Sequence, residues 1–254
     1  MKDGFLSSTQ EAKIYFPRVS IITISKDDPI GLANTLRSVA TQTYEGFEHI
    51  LVLAGRSCEL ILSNDHRLRV LPETDPGISN ALNAGVCAAR GEWVQFLNGG
   101  DCFASPESLH SMVSQASKHV DMICAFAKVL QRSFTIPRQQ LKPGRDEFIY
   151  SSHQASLFRR SLFDKYGLYN ASIRIHMDLE WLTRLPAEVP YVFVNKETVH
   201  FDPHGVSSTK FVLSSIEEVR ILWGSRRFIH TALIVVFLKL PFRTLRHVYR
   251  KWFQ

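Results

Sequence analysis

The sequence predicts an α/β fold on three observations. Residues 19–25 form an apolar, β-branched run that passes through a turn straight into a helical period. Between residues 73 and 101 a turn, an amphipathic helix, a short buried strand and a carboxylate-bearing turn follow one another, as in an open α/β sheet. With 45% apolar residues in 254, the chain can build one substantial core and an appendage. The expected division is an N-terminal extension over residues 1–17, a main domain over 18–215 and a helical tail over 216–254.

Residues 1–13, MKDGFLSSTQEAK, hold no apolar core, so neither a signal peptide nor an N-terminal anchor is expected there. After the first strand, Asp27 and Asp28 precede Pro29, and Leu32, Leu36, Val39 and Ala40 form the inward face of the first helix. Residues 49–53 read as the second strand. Pro76 and Gly77 break the chain after Glu73 and Asp75. Ser79 is then the expected N-cap of a helix whose Leu82, Val86 and Ala89 share one face, and Arg90 and Gly91 end it. Residues 93–97 read as a buried strand, and Asn98, Gly99, Gly100 and Asp101 turn away from its carboxyl end. Residues 131–150, with Pro137, Pro143 and Gly144, are the least regular stretch and are expected as a mobile segment over the site.

The turn at Asp101 has a chemical meaning. Open α/β sheets bind ligands in the crevice beyond the carboxyl ends of their strands. A carboxylate there can hold a divalent cation, which bridges diphosphate oxygens and neutralises the charge that develops as a nucleoside diphosphate leaves. Asn, Gly and Asp also make ordinary tight turns, so the tetrapeptide by itself leaves both readings open.

The wider arrangement is more specific. The run ETDPGISNALNAGVCAARGEWVQFLNGGD resembles the central block of inverting family 2 glycosyltransferases of the GT-A fold, a Rossmann-like fold of nucleotide-diphospho-sugar transferases, which implies a mixed sheet flanked by helices. It is most similar to the branch that builds bacterial surface polysaccharides. Glu73, Asp75, Gly77, Ile78, Ala81, Asn83, Gly85, Gly91, Phe96, Leu97, Asn98 and Asp101 stand where that pattern places them. The first strand and helix resemble the family's opening βα unit. From Ser152, SHQASLFRRSLFDKYGLYNASIRIHMDLEWLTRL is similar to its HQA segment and to its acidic motif before an aromatic residue, here Asp178, Glu180 and Trp181.

An acceptor hydroxyl must attack the anomeric carbon from the face opposite the diphosphate, which requires a base on one side and charge stabilisation on the other. The resemblance implies Asp178 as that base, with Glu180 the competing candidate; two residues apart on a helix, these carboxylates do not share a face. It implies Asp101 as a ligand of Mn2+ or Mg2+, joined by either His200 or His204 from a stretch that resembles the loop closing the domain. Thr23, Ser25, Asp75, Gly77, Asn80 and Asn98 are implied as contacts of the nucleotide sugar, a UDP-sugar by the same resemblance. His153, Gln154 and Glu180 are implied on the acceptor or diphosphate side. Three positions depart from the pattern. Leu53, which cannot accept a hydrogen bond, stands where the family usually places an Asp against the nucleotide base. Gly100 replaces a second acid found in many relatives, and Asn80 an Asp common in the branch. A single carboxylate at 101 implies a cation held mainly by the diphosphate.

Charge is distributed unevenly. Residues 219–254 contain eight Lys or Arg and no acid, against a net +6 for the chain. Apolar residues interleave with them, but the longest apolar run, 232–238, is far short of the roughly 20 residues a spanning helix needs. A pair of interfacial helices broken near Pro241, lying on the anionic inner face of the cell membrane, accounts for both features. A helix packed on the domain or in a dimer interface is the alternative. No zinc-finger, RNP or helix-turn-helix pattern accompanies the charge, so nucleic acid is not expected as a partner. Cys58, Cys87, Cys102 and Cys124 show neither paired metal spacing nor secreted-scaffold density and are expected reduced, in the cytoplasm. Two expectations result. One is an inverting, metal-dependent hexosyltransferase that extends a lipid-linked oligosaccharide in O-antigen or exopolysaccharide synthesis. The other is a non-catalytic relative that keeps the fold as a membrane-associated partner or scaffold.

Overall fold

The computed structural model describes residues 18–56, 65–142, 146–205, 210–225, 228–234 and 236. The expected N-terminal extension, Cys58, the 206–209 part of the expected closing loop and residues 237–254 of the basic tail lie outside the described residues.

The sheet is built outward from β1 (Val19–Lys26), whose first five residues are all buried. β1 pairs in parallel with β2 (Phe47–Ala54) on one side and β4 (Trp93–Phe96) on the other, and β3 (Leu68–Pro72) continues the parallel half beyond β2. Past β4 the sheet becomes mixed. β8 (Ser156–Arg159) is antiparallel to β4 and to β6 (Met122–Val129), β9 (Tyr191–Phe201) runs parallel to β6, and β5 (Cys102–Phe103) lies antiparallel to β9 at the edge. The order is β3-β2-β1-β4-β8-β6-β9-β5, with β7 (Thr135–Ile136) paired to β6. The end of β9 meets the turn after β4, where the Asp202 N–H bonds the Asp101 carboxylate.

Helices cover both faces. α1 (Pro29–Ala40) begins as its sequence dictates: the Asp28 side chain accepts from the Gly31 N–H, and Pro29 occupies the first turn, where its missing N–H costs nothing. Its inward residues are Leu32, Thr35 and Val39; Ala40, expected inward, is exposed. α2 (Ile78–Ala88) is capped by Gly77 at φ 128° rather than by Ser79, which lies inside the first turn and donates to the Ile173 carbonyl. Gly85 lets α2 lie directly on β1, since a Cβ there would stand 2.4 Å from Ile22. α3 (Ser108–Val113), α4 (Ser161–Tyr166), α5 (Met177–Arg184), α6 (Phe211–Gly224) and α7 (Ile229–Ile234) complete the set.

Two apolar layers result. One joins α2, α4 and α5 to the sheet around Phe96, Phe158, Phe163, Tyr169 and Trp181, in which Phe163 stacks on Trp181 at 4.3 Å. The other packs α3 against the opposite face through Leu109, Met112 and Val113. Leu53 is sealed in a third cluster with Leu32 and Leu51. Cys87, Cys102 and Cys124 are free thiols. Among the described residues no helix is long and apolar enough to cross a membrane.

Candidate active site

The crevice is a cavity of about 490 Å³ at the carboxyl ends of the central strands, within the size range of small-ligand sites. One wall is the turn after β4. The backbone of that turn continues to hydrogen-bond along β1, Leu97 N–H to Ile22 and Gly99 N–H to Ile24, before Asp101 N–H closes on the Asn98 carbonyl. Thr35, fully buried on α1, fixes it from below: its hydroxyl donates to the Asp101 carbonyl at 2.7 Å and accepts from the Gly100 N–H at 3.0 Å. Periodicity gives no sign of this role, because an inward Thr on a helix reads as an ordinary core position.

Asp101 itself is 3% exposed and lines the cavity. Its Oδ1 accepts from the Asp202 N–H at 2.9 Å. The register of β5 on β9, Cys102 opposite His200, brings Asp202 there from 101 residues away. Gly100 adopts φ 97°, and a Cβ on it would stand 3.1 Å from Asp202 Oδ2. A second carboxylate therefore stands beside position 100, contributed by the loop after β9 rather than by the turn. Burial pushes the Asp101 carboxyl up to about 7, with the Asp202 charge adding to the rise and hydrogen bonds from the Asp202 backbone and the Gln154 side chain opposing it. Asp202 also holds His204, with its Oδ1 2.7 Å from His204 Nδ1. Among the described residues, no three His, Cys, Asp or Glu side chains form a ready-made cation cluster.

The same cavity is lined by Asp178, in the first turn of α5, which Trp181 anchors by donating its indole N–H to the Gly167 carbonyl at 2.7 Å. Asp178 lines the cavity with its side chain 29% exposed. His153 Nδ1 lies 3.5 Å from Asp178 Oδ2, and neither ring nitrogen has a hydrogen-bond partner although the residue is only 5% exposed. Burial lowers the His153 pKa, against the attraction of Asp178, so the imidazole is neutral at physiological pH. Asn98 Oδ1 is likewise buried without a partner on the cavity wall. Buried polar atoms left unpaired cost free energy, and here they converge where a ligand's hydroxyls or phosphates can pair them.

The other expected site residues fall into two groups. Gln154 joins Asp101, Asn98, His153, Asp178 and His204 on the cavity, hydrogen-bonded to Asp101. Thr23 does not reach it: its hydroxyl donates to the Leu97 carbonyl and meets His49 Nε2 inside the sheet. Ser25 packs under Gly99, Asp75 and Gly77 stay on the exposed approach to α2, and half-buried Asn80 in its first turn donates to the Pro76 carbonyl. Glu180 does not line this cavity; it pairs with Arg184 at 3.3 Å in a separate groove. His200 is drawn into the β5–β9 ladder and does not line the cavity. Residues 131–150 were expected over the site, and Ile136, Ile149 and Tyr150 from that stretch do line it. The sequence reading missed Asp202, Thr35 and the contribution of α6, whose Glu218 and Leu222 form part of the wall.

Asp101, Asp178 and Asp202 thus line one crevice of a mixed α/β sheet. The family model for glycosyl transferase family 2 matches residues 20–175, and the chain belongs to that family. It is 29% identical over 178 residues, 66% of this chain and 69% of the other, to a PGL/p-HBAD biosynthesis glycosyltransferase of Mycobacterium bovis. Among solved structures it is similar to TarS of S. aureus in complex with UDP-GlcNAc, with a TM-score of 0.69 and 14% identity over 87% of this chain and 72% of that one. It is also similar to the mannosyltransferase PcManGT of Pyrobaculum calidifontis in complex with GDP-Man and Mn2+, with a TM-score of 0.67 and 14% identity over 89% and 71%. The fold is thus that of GT-A glycosyltransferases.

Proposed function

We propose that the protein is an inverting glycosyltransferase that moves a sugar from a nucleoside diphosphate donor to a saccharide acceptor, with Asp178 as the base. The observation that carries this reading is the placement of Asp178 and the Asp101–Asp202 pair on one cavity. In the transfer the acceptor oxygen bonds to the anomeric carbon while the bond from that carbon to the diphosphate oxygen breaks. The electron pair leaves with the nucleoside diphosphate, and the acceptor proton passes to Asp178. His153, neutral and beside Asp178, orients the acceptor hydroxyl or the base. Asn98 and Gln154 offer hydrogen bonds to the sugar or diphosphate.

The Asp101–Asp202 pair suits a divalent cation. Asp101 and Asp202 lie close enough that one raises the proton affinity of the other, a repulsion that a cation in the proton's place relieves. Asp101 and Asp202 would hold it, with His204 beside them, and the donor's phosphates would supply the remaining ligands. When bound it supplies charge neutralisation for the departing diphosphate. Family membership and the Mn2+-bound neighbour support this reading.

Leu53 lies in the core, so nucleotide-base recognition falls to other groups at the carboxyl ends of β1 and β2, and a UDP-sugar is the donor tried first. A lipid-linked acceptor in surface-polysaccharide assembly is supported by the interleaved basic and apolar residues after 219 and by the relative named for PGL/p-HBAD biosynthesis. Exposed Ile216, Arg220 and Trp223 on α6 extend that character onto the folded domain and favour a peripheral site on the inner face of the membrane. The test is Asp178→Asn: transfer falls by at least about a thousandfold while donor binding is unchanged, the pattern of a group needed only in the transition state. Unchanged turnover removes Asp178 as the base and favours the non-catalytic partner.

A further inference from the structure

The segment that precedes Asp178 has no regular structure of its own between Asn170 and His176. It is nevertheless held from two sides. On one side Ser79 of α2 donates to the Ile173 carbonyl at 2.9 Å. On the other, a single carboxylate on α6 gathers three successive backbone donors: Glu217 Oε1 accepts from Arg174 N–H at 3.0 Å, and Oε2 accepts from Ile175 N–H at 2.9 Å and from His176 N–H at 3.2 Å. Ser214, one turn earlier on α6, meets His176 Nε2 at 2.8 Å. Glu217 is 8% exposed, and hydrogen bonds to an ionised acceptor are about twice as strong as neutral ones. His176 is the N-cap of α5 and makes no side-chain cap bond, so the start of the helix that carries Asp178 is fixed from outside, by α6.

We infer that Glu217 is the positioning residue for the base: by binding the backbone at 174–176 it sets the start of α5, and with it the Asp178 carboxylate, against the acceptor hydroxyl. This rests on the reading of Asp178 as the base. It makes α6 part of the transfer machinery, although it lies outside the residues matched by the family model. The helix that orients the base is also the one that leads into the basic, apolar segment, so the acceptor-facing wall and the proposed membrane face belong to one element.

The isosteric Glu217→Gln change keeps the volume and replaces one acceptor oxygen by a donor, which faces a backbone N–H that can no longer be paired. Three readouts on the full-length chain test the role. Amide exchange at 174–176 should accelerate in Glu217→Gln and be partly protected again in Glu217→Asp. Turnover, read as nucleoside diphosphate release from UDP-glucose, UDP-GlcNAc or GDP-mannose with Mn2+ present, should fall about ten- to a hundredfold in kcat with donor KM within about twofold, as for a misplaced reacting group. In the Asp178→Asn background, Glu217→Gln should cost nothing further, because the residue acts through the base. Unchanged amide exchange, or a kcat loss that persists in the Asp178→Asn background, overturns the role. A wild-type chain that releases nothing from any donor, with the exchange effect intact, contradicts instead the enzymatic reading on which the role rests.

Discussion

Asp101 and Asp178 are legible in the sequence through the family resemblance, which gives meaning to a glycine turn after an apolar strand for one and to an acid before an aromatic residue for the other. Thr35, Asp202 and Glu217 are not. Their local patterns report burial or a loop, and their meaning comes from partners 63 or more, 101 and about 40 residues away, brought together by the sheet and by α6. Thr35→Val tests one of them. The isosteric change leaves the Gly100 N–H and the Asp101 carbonyl without the buried hydroxyl, and should cost about 1–3 kcal/mol of stability in urea unfolding; a loss within error contradicts the role assigned to Thr35. His49 makes a pH prediction. Burial lowers its pKa to about 3, with Asp65 opposing and Arg67 adding to the shift. Because the Thr23 hydroxyl donates to Leu97, His49 donates to Thr23 and stays neutral in the fold. The unfolded chain binds the proton near pH 6.5, so this stability is complete above that value. It should be lost at about 1.4 kcal/mol per pH unit as pH falls towards 3. Urea unfolding between pH 7 and 5 should show a shallower fall for His49→Gln than for wild type; equal slopes contradict the assignment.

Among the elements, β1, α1, α2 and β4 could be read from periodicity because apolar faces and punctuating Pro, Gly and Asp residues coincide there. The start of α2 could not: Ser79 has the chemistry of a cap, but the positive φ of Gly77 turns the chain two residues earlier and frees Ser79 to tie down Ile173. The two acids of α5 were separated correctly by helical geometry, which places Asp178 on the cavity and sends Glu180 to Arg184. α6 is the element with most left to explain. It runs through the expected boundary at 215/216, with Glu217, Glu218 and Leu222 inward and Ile216, Arg220 and Trp223 outward. A truncation meant to test membrane binding therefore has to fall after Ser225, so that Glu217 is retained. Such a chain should lose co-sedimentation with phosphatidylglycerol-containing vesicles. Ile216→Ser with Trp223→Ser should weaken it roughly tenfold or more, from the ~1.5–3 kcal/mol a large apolar side chain gains on leaving water. Unaltered co-sedimentation of both proteins contradicts a membrane-facing α6.

At the scale of the whole molecule, the parallel pairing of β1 with β2 and β4 follows from the helices α1 and α2 that lie between strands in the chain. The mixed half follows from no local rule, since which strand lies beside β4 is decided by long-range packing. That mixed half makes the site: with β8 antiparallel between β4 and β6, the end of β9 comes back to the turn at Asp101 and the cavity gains its second carboxylate. The fold and the carboxylates of Asp101 and Asp178 were readable from the resemblance, whereas the pairing of Asp101 with Asp202 and the burial of Leu53 required the assembled sheet. The central claim is that this cavity binds a nucleotide sugar with a cation. Its most direct test is a thermal-shift series with UDP, GDP, dTDP and CMP and their common sugars, with and without Mn2+, on the wild type and on Asp101→Ala. A ligand at about a hundred times its dissociation constant stabilises a fold by about 2.7 kcal/mol, a readily measured shift. The account predicts a Mn2+-dependent shift with one nucleotide that disappears in Asp101→Ala; no shift with any of them, or one that persists undiminished in Asp101→Ala, would contradict it.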